Sequence, residues 1–544
     1  MMKGSAWIIS SSALVIWLAA IGWPAMACVE LIVASDDLFK NPSTISHSTL
    51  AQLLIVSITW SGMVAIGAML LGWLPGRLLG RALARSSTRR SSGLWLLLAT
   101  LLLVPICLPA YVVFFAWWQA WPADSWLFRW ALEHQQVQTV RHATLLAGLL
   151  CWSWPIVSWC VAGFVANTPV QREEMLLLDA ARPLTRLLDK IRCDGRGLLL
   201  GGQIAFLAAF SNTTVFDLAE IFTFGNELRA IEALGATPRE VLTAAAPATA
   251  LTGLGALIVW MLLSMRPAEI ASARFTRDGR SRVGVLLFTA LLWLFSVGIP
   301  IVLLARNMRS AAGGRTLGEQ LSEFTTFYGR GMGNTMVVAM ICGVLASVIA
   351  AGLAWMWQDR RAWVRSAAHV QAVGWMIAAA VPGTMIGSAL TVAYNRGWLA
   401  DGVYLTPAVL VIGHLARFGF LAALLGRWIA LQEPRALVEM RAMDGAERLG
   451  GLLLATWPRL LAAGGATFAI VMTMSLAEIP VTAQVRPPGI DLITPSILND
   501  MHYQRPQTVM IATAAFMGVA LLASFGAIVL WSSARRAVKS VALR

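Results

Sequence analysis

Runs of about 20 uninterrupted apolar residues recur along this chain, and no other feature constrains its fold as strongly. About 20 residues of α-helix cross the ~30 Å hydrocarbon core of a bilayer. Within hydrocarbon every backbone N–H and C=O must be paired inside the chain, so only helices and closed barrels can span it. A barrel strand alternates apolar and polar residues over ~10 positions. The run Leu94–Trp118, "LWLLLATLLLVPICLPAYVVFFAWW", is apolar on every face instead. With 58% hydrophobic and 13% charged residues and a mean hydropathy of +0.69, the 544 residues have too little polar surface for a soluble fold. The expectation is an all-α integral membrane protein.

The pattern predicts about 12 transmembrane helices, at 5–27, 50–75, 94–119, 143–166, 198–216, 243–264, 283–305, 333–357, 370–394, 406–430, 460–481 and 507–532. An even number puts both termini on one side. Most of the 42 Lys and Arg residues then fall in segments that are cytoplasmic if the termini are, including "GRLLGRALARSSTRR" and the tail "SSARRAVKSVALR". The external loop 306–332, with four arginines, is the exception. Topology and anionic lipid headgroups therefore account for the net charge of +14 without nucleic acid. A rival reading of the N-terminus exists: Lys3, the apolar run after it and "AMAC" at Ala25–Cys28 are compatible with a cleaved signal peptide or a lipobox. The six cysteines show no paired spacing, so neither a disulfide framework nor a metal site is indicated.

The chain also reads as two copies of a six-helix unit, 1–270 and 271–544. Two polar loops lie 265 residues apart, each between the fourth and fifth span of its half. In the first, about 167–197, "EEMLLLDAARP" places Glu174, Asp179, Ala180 and Ala181; in the second, about 432–459, "VEMRAMDGAER" places Glu439, Asp444, Gly445 and Ala446. Both third spans carry prolines, Pro105 and Pro109 in one and Pro382 in the other. In the second loop Ala436–Asp444 favours helix, Gly445 suits a left-handed end, and Pro458 suits the first turn of the next helix. Leu437, Met440 and Met443 make an apolar stripe that needs either a protein groove or lipid headgroups.

No G-x-x-x-x-G-K-[ST] phosphate loop and no H-E-x-x-H or G-x-S-x-G motif occurs, so nucleotide hydrolysis and an enzyme role are not expected of this chain. The spacing Glu439, Gly445, Pro458 resembles the E-A-A loop of ABC importer permeases, and "MDGAERLGGLLLATWPRL" resembles the fused iron(III)/thiamine-type members. "LPAYVVFFAW", "VPGTMIG", "LARFGFLAALL" and "SLAEIPVTAQVRPPGIDLITPSILNDMHYQRPQTV" extend the resemblance over most of the chain. It implies the type I importer permease fold in a bacterial inner membrane, with two copies of a separate ATPase and an external solute-binding protein as partners. ATP and Mg would sit on the ATPase, with no cofactor on this chain. The two loops would be coupling helices that dock into the ATPase. The cargo implied is iron(III) first, then thiamine or a phosphonate. The first loop departs from the pattern, having Ala180 and Cys193 at the glycine and proline positions and Pro183 soon after.

Ionisable groups inside spans are costly and mark pathways. Arg417 in the tenth span and Glu478 at the outer end of the eleventh are gate candidates, with Thr213 and Asp217 at the corresponding end of the fifth. The offset of 265 pairs Glu478 with Thr213, whereas the shared "LAEI" would pair it with Glu220. His414 reads as a packing residue, and most of the 24 tryptophans as interfacial anchors. The external turn Pro487, Pro488, Gly489 and the amphipathic segment after it are expected to receive the binding protein or close an outer gate. An ion-coupled secondary transporter is the alternative from another class; it calls for acidic groups at mid-membrane, and the sequence puts them near span ends.

Overall fold

The computed structural model describes residues 5–33, 47–85, 92–122, 125–166, 183–264, 280–311, 316–432, 457–503 and 506–542. Every regular element among them is helical. Among the described residues eight helices are long and apolar enough to cross a membrane, or up to ten if each of two bent pairs is one span. The chain is a multi-pass, all-α membrane protein.

Helices α1 (Ser5–Trp17) and α2 (Trp23–Val33) join through a π-helical turn at Leu18–Gly22 to make the first span. There follow α3 (His47–Arg85), the bent pair α4 (Ser92–Cys107) and α5 (Ala110–Trp118), a short α6 (Trp126–Glu133) and α7 (Val137–Val165). Then come α8 (Pro183–Phe210), α9 (Thr213–Leu218), α10 (Phe224–Ala233) and α11 (Pro238–Ser264). A similar order recurs. Helices α12 (Arg280–Trp293) and α13 (Ile299–Ala311) are joined by a π-helical turn at Leu294–Gly298 and precede the long α14 (Leu317–Gln358). The bent pair α15 (Ala362–Ala380) and α16 (Gly383–Tyr394) leads to α17 (Pro407–Gln432). The last elements are α18 (Trp457–Leu476), α19 (Pro480–Val485), α20 (Ile493–His502) and α21 (Pro506–Ala542).

Three kinds of departure from the sequence reading have local causes. The expected third and ninth spans are not straight: they bend by 81° before α5 and by 116° before α16, where Pro109 and Pro382 supply no N–H and hold extended backbone. The expected fifth and eleventh spans stop early, at Phe210 and Leu476. After the first stop Asn212 has non-helical φ/ψ of −94° and 73°; after the second, Pro480 opens a new helix. The segment 317–332 is helical rather than an external loop, because Thr316 and Glu319 form a capping box that starts α14 well before the expected span. At ~1.5 Å per residue, the 42 residues of α14 exceed the ~30 Å of hydrocarbon, so this helix projects beyond it.

The segments 1–270 and 271–544 are interleaved in space. Within the first, α3, α7 and α8 pack on one another; within the second, α14, α17 and α18 do. The first span crosses over, α1 lying along α14 and α2 along α16. In the reverse sense, α12 meets α3, α13 meets α5, and α4 packs on α21. The expected boundary near residue 270 lies outside the described residues, and contacts link the described helices on either side of it.

Candidate functional site

Four helix breaks converge on one cavity of about 160 Å³. Its wall contains residues 107–111 from the α4/α5 bend, Leu207, Ala208, Ser211, Asn212 and Thr214 across the α8/α9 break, Met376, Ala379 and Ala380 before the α15/α16 bend, and Met474, Ala477, Glu478 and Pro480 across the α18/α19 break. Trp152 of α7, Ile204 of α8, Ala256 and Val259 of α11, and Arg417, Phe418 and Phe420 of α17 also line it. Each break leaves carbonyls without helical partners, and backbone of this kind is tolerated at membrane depth only inside protein or along a cavity.

Arg417 ties three of the breaks together. Its Nη1 donates to the carbonyls of Ala379 at 3.2 Å and Val381 at 2.9 Å, the C-terminal end of α15. Its Nη2 donates to the carbonyl and Oγ of Ser211, both at 3.1 Å, at the end of α8. Nε faces Glu478 Oε2 at 3.8 Å, in the break after α18, and both side chains are largely buried. Glu478 Oε1 in turn accepts from the N–H of Val481 at 3.1 Å, capping α19. All four Nη hydrogens are therefore spent on protein acceptors, and the guanidinium acts first as a clamp.

One turn earlier on α17, His414 braces the same break. Its Nδ1 lies 2.6 Å from Ser475 Oγ and its Nε2 lies 2.8 Å from Thr482 Oγ1, so it joins the residues before and after the gap. Thr482 Oγ1 donates to the Glu478 carbonyl at 2.9 Å, which leaves it to accept from Nε2–H. That assigns the neutral imidazole with Nδ1 accepting from Ser475. The packing reading of His414 agrees with this arrangement. Gly383, at the start of α16, admits α19 closely: a Cβ there would stand 2.6 Å from Pro480 Cβ.

The sequence candidates divide. Arg417 and Glu478 line the cavity together. Thr213 is buried but is not among its lining residues, although its neighbours Asn212 and Thr214 are. Asp217 does not reach it either: Arg229 holds its carboxylate at 3.0 Å near the protein surface. Glu220 pairs with Arg141 in the same region. Helix α10 is drawn inward elsewhere, the N–H of Phe224 donating to Ser57 Oγ at 2.9 Å. The break after Phe210 and the one after Leu476 agree with the offset of 265 to within one or two residues, favouring Thr213 over Glu220 as the counterpart of Glu478.

Gly489 has φ of +77°, which explains glycine in that turn, and Pro488 and Gly489 are exposed while Pro487 is buried. Helix α20 follows as expected, with Ile493, Ile497 and Met501 buried. Glu174, Asp179, Ala180, Ala181, Glu439, Asp444, Gly445 and Ala446 lie outside the described residues; Pro458 is the second residue of α18. Sequence reasoning missed Tyr111, Trp152, Ser211 and Asn212. The signal for Trp152 was available: the offset of 265 places it opposite Arg417.

Among the described residues no group of three or more His, Cys, Asp or Glu side chains could hold a metal ion. No protein-family model, no curated protein and no solved structure matches the chain.

Proposed function

We propose that this chain is the permease subunit of a bacterial binding-protein-dependent ABC importer, two six-helix halves fused so that one chain supplies the whole pathway. The observation that carries the reading is the convergence of four broken helices, two from each sequence half, on one cavity. Discontinuous helices near mid-membrane, contributed by paired repeats, are the usual construction of a transport site. The recurring order of π-turned, long, bent and interrupted helices supports the two-half reading.

The pathway would run through the cavity, with the Arg417–Glu478 pair as part of its gate. The loops around Glu174–Ala181 and Glu439–Ala446 would dock into two copies of a separate ATPase. An external binding protein would deliver the cargo near Pro487–Gly489. ATP-driven closure of the ATPase dimer would rock the halves between two states. Resemblance suggests iron(III) as cargo, with thiamine or a phosphonate next.

The test is purification of the tagged chain from its own cells in mild detergent. The reading expects an ATPase at two copies per chain and ATP-dependent uptake by the reconstituted assembly. Uptake by the chain alone, driven by a proton or sodium gradient, would replace it with a secondary transporter. The buried carboxylate at the cavity is already committed to Arg417 and Val481, which disfavours it as a coupling-ion carrier.

A further inference from the structure

The cavity carries hydrogen-bonding capacity that the protein leaves unused. Tyr111 is 4% exposed and Trp152 is 8% exposed; both line the cavity, and neither the phenol Oη nor the indole Nε1 has a hydrogen-bond partner. Glu478 Oε2 faces Arg417 Nε at 3.8 Å, beyond hydrogen-bond distance. Asn212 and Thr214 also line it, and their side chains make no hydrogen bond among the described residues. Buried polar groups are nearly always satisfied, by protein or by ordered water, and these side chains belong to residues that line this cavity. At about 160 Å³ it has room for several waters, one needing ~10–15 Å³.

The chemistry of the unused groups narrows the occupant. An indole N–H only donates and an ionised carboxylate only accepts, while the phenol can do both. A bare metal cation offers Trp152 no acceptor. An anion satisfies Trp152 and Tyr111 but opposes Glu478. A hydroxyl accepts from one wall and donates to the other. Arg417 already balances the charge of Glu478, so the site calls for no net charge from its ligand.

We propose that the cavity is a binding site for hydroxyl groups, bridging Tyr111 and Trp152 to Glu478: ordered water at rest, and the hydroxyls of a small uncharged or hydrated solute when one is present. Calling that solute cargo rests on the importer reading; the site itself does not.

The test is hydroxyl-radical footprinting of the full chain in lipid nanodiscs, with and without glycerol as the probe solute. Water held in the cavity generates radicals beside its walls. Trp152 should be oxidised several-fold faster than Trp154 and Trp375, which are 0% exposed and do not line the cavity. Tyr111 should likewise exceed Tyr394, which is 5% exposed and donates to the Ala19 carbonyl at 2.7 Å. Glycerol should slow labelling of Trp152 and Tyr111 beyond its general scavenging at surface residues, and Asn212→Leu, by filling the space, should slow it without glycerol. Rates for Trp152 and Tyr111 no higher than those controls would mean a dry cavity and overturn the site. A high rate indifferent to glycerol would overturn its solute half and leave water alone. No ATPase enters the measurement, so a dry cavity leaves the importer reading standing, and absence of an ATPase partner leaves the site standing.

Discussion

Replacing Arg417 by methionine removes the clamp while keeping most of its apolar stem. The Ala379, Val381 and Ser211 carbonyls lose donors at 2.9 to 3.2 Å, and hydrogen bonds from charged groups contribute ~1.5–3 kcal/mol each. Glu478 is left buried without its counter-charge, and breaking a buried pair from one side costs ~3–5 kcal/mol. The per-bond figures do not add for one guanidinium, and the cost of breaking a buried pair from one side already includes lost hydrogen bonds, so the expected destabilisation of Arg417→Met is at least ~3–5 kcal/mol. At 3.8 Å and an effective dielectric of ~20 the direct attraction is ~4 kcal/mol. Glu478→Gln in the methionine background should therefore recover ~2–3 kcal/mol of the summed single losses. Arg417→Lys separates the two roles, because it keeps the charge while a single ammonium cannot serve the ends of both α8 and α15. It should lie between wild type and methionine. The assay is reversible unfolding in mixed micelles, followed by circular dichroism, for the four members of the cycle and the lysine variant. Arg417→Met within ~0.5 kcal/mol of wild type, the range of an inconsequential surface change, would refute the clamp.

Helices α3 and α7 touch through glycine: a Cβ on Gly72 would stand 2.4 Å from the Trp154 carbonyl, and one on Gly76 2.8 Å from the Ser158 carbonyl. Gly72→Ala should cost ~1–3 kcal/mol in the same unfolding assay, whereas Gly62→Ala on the same helix, with nothing within 4 Å, should be neutral. His414→Leu strands the Ser475 hydroxyl, while Thr482 still donates to the Glu478 carbonyl, and should cost ~1–3 kcal/mol for the one buried group left unpaired; His414→Gln should recover part of it. On the importer reading, Gly445→Val opposes a left-handed helix end by ~1–2 kcal/mol and should weaken ATPase co-purification at matched expression. Ala180→Val should do less, and equal damage from both would mean that the first loop docks by another geometry.

The long-range character of this fold was legible because hydrocarbon demands it: no other structure suits Leu94–Trp118. Break positions were less so. Pro109 and Pro382 announced two bends, and they are intrinsic to the residues. The break after Phe210 has no proline, and there a distant side chain, Arg417, takes the Ser211 carbonyl, a tertiary contact that no local pattern carries. Arg417 and Glu478, which line the cavity, were conspicuous in the sequence as charges in or beside apolar spans. Tyr111 was not, since an aromatic residue in a membrane helix reads as packing until its polar atom is seen without a partner. The partner of Asp217 was not legible either: Arg229 reaches it from the next helix.

The central claim, that the four breaks enclose part of a translocation pathway, is tested most directly by sided accessibility. Ala208 and Ala477, one from each sequence half, both line the cavity and can each carry the single cysteine of a variant lacking Cys28, Cys107, Cys151, Cys160, Cys193 and Cys342. A membrane-impermeant thiol reagent is applied from one side of the bilayer and then the other, at rest and with the transport cycle trapped by vanadate. The account predicts labelling at both positions from one side at rest, and a change of side or of rate when the cycle is trapped. Cysteines that stay sealed from both sides in both conditions would show the cavity to be a static packing defect and contradict it.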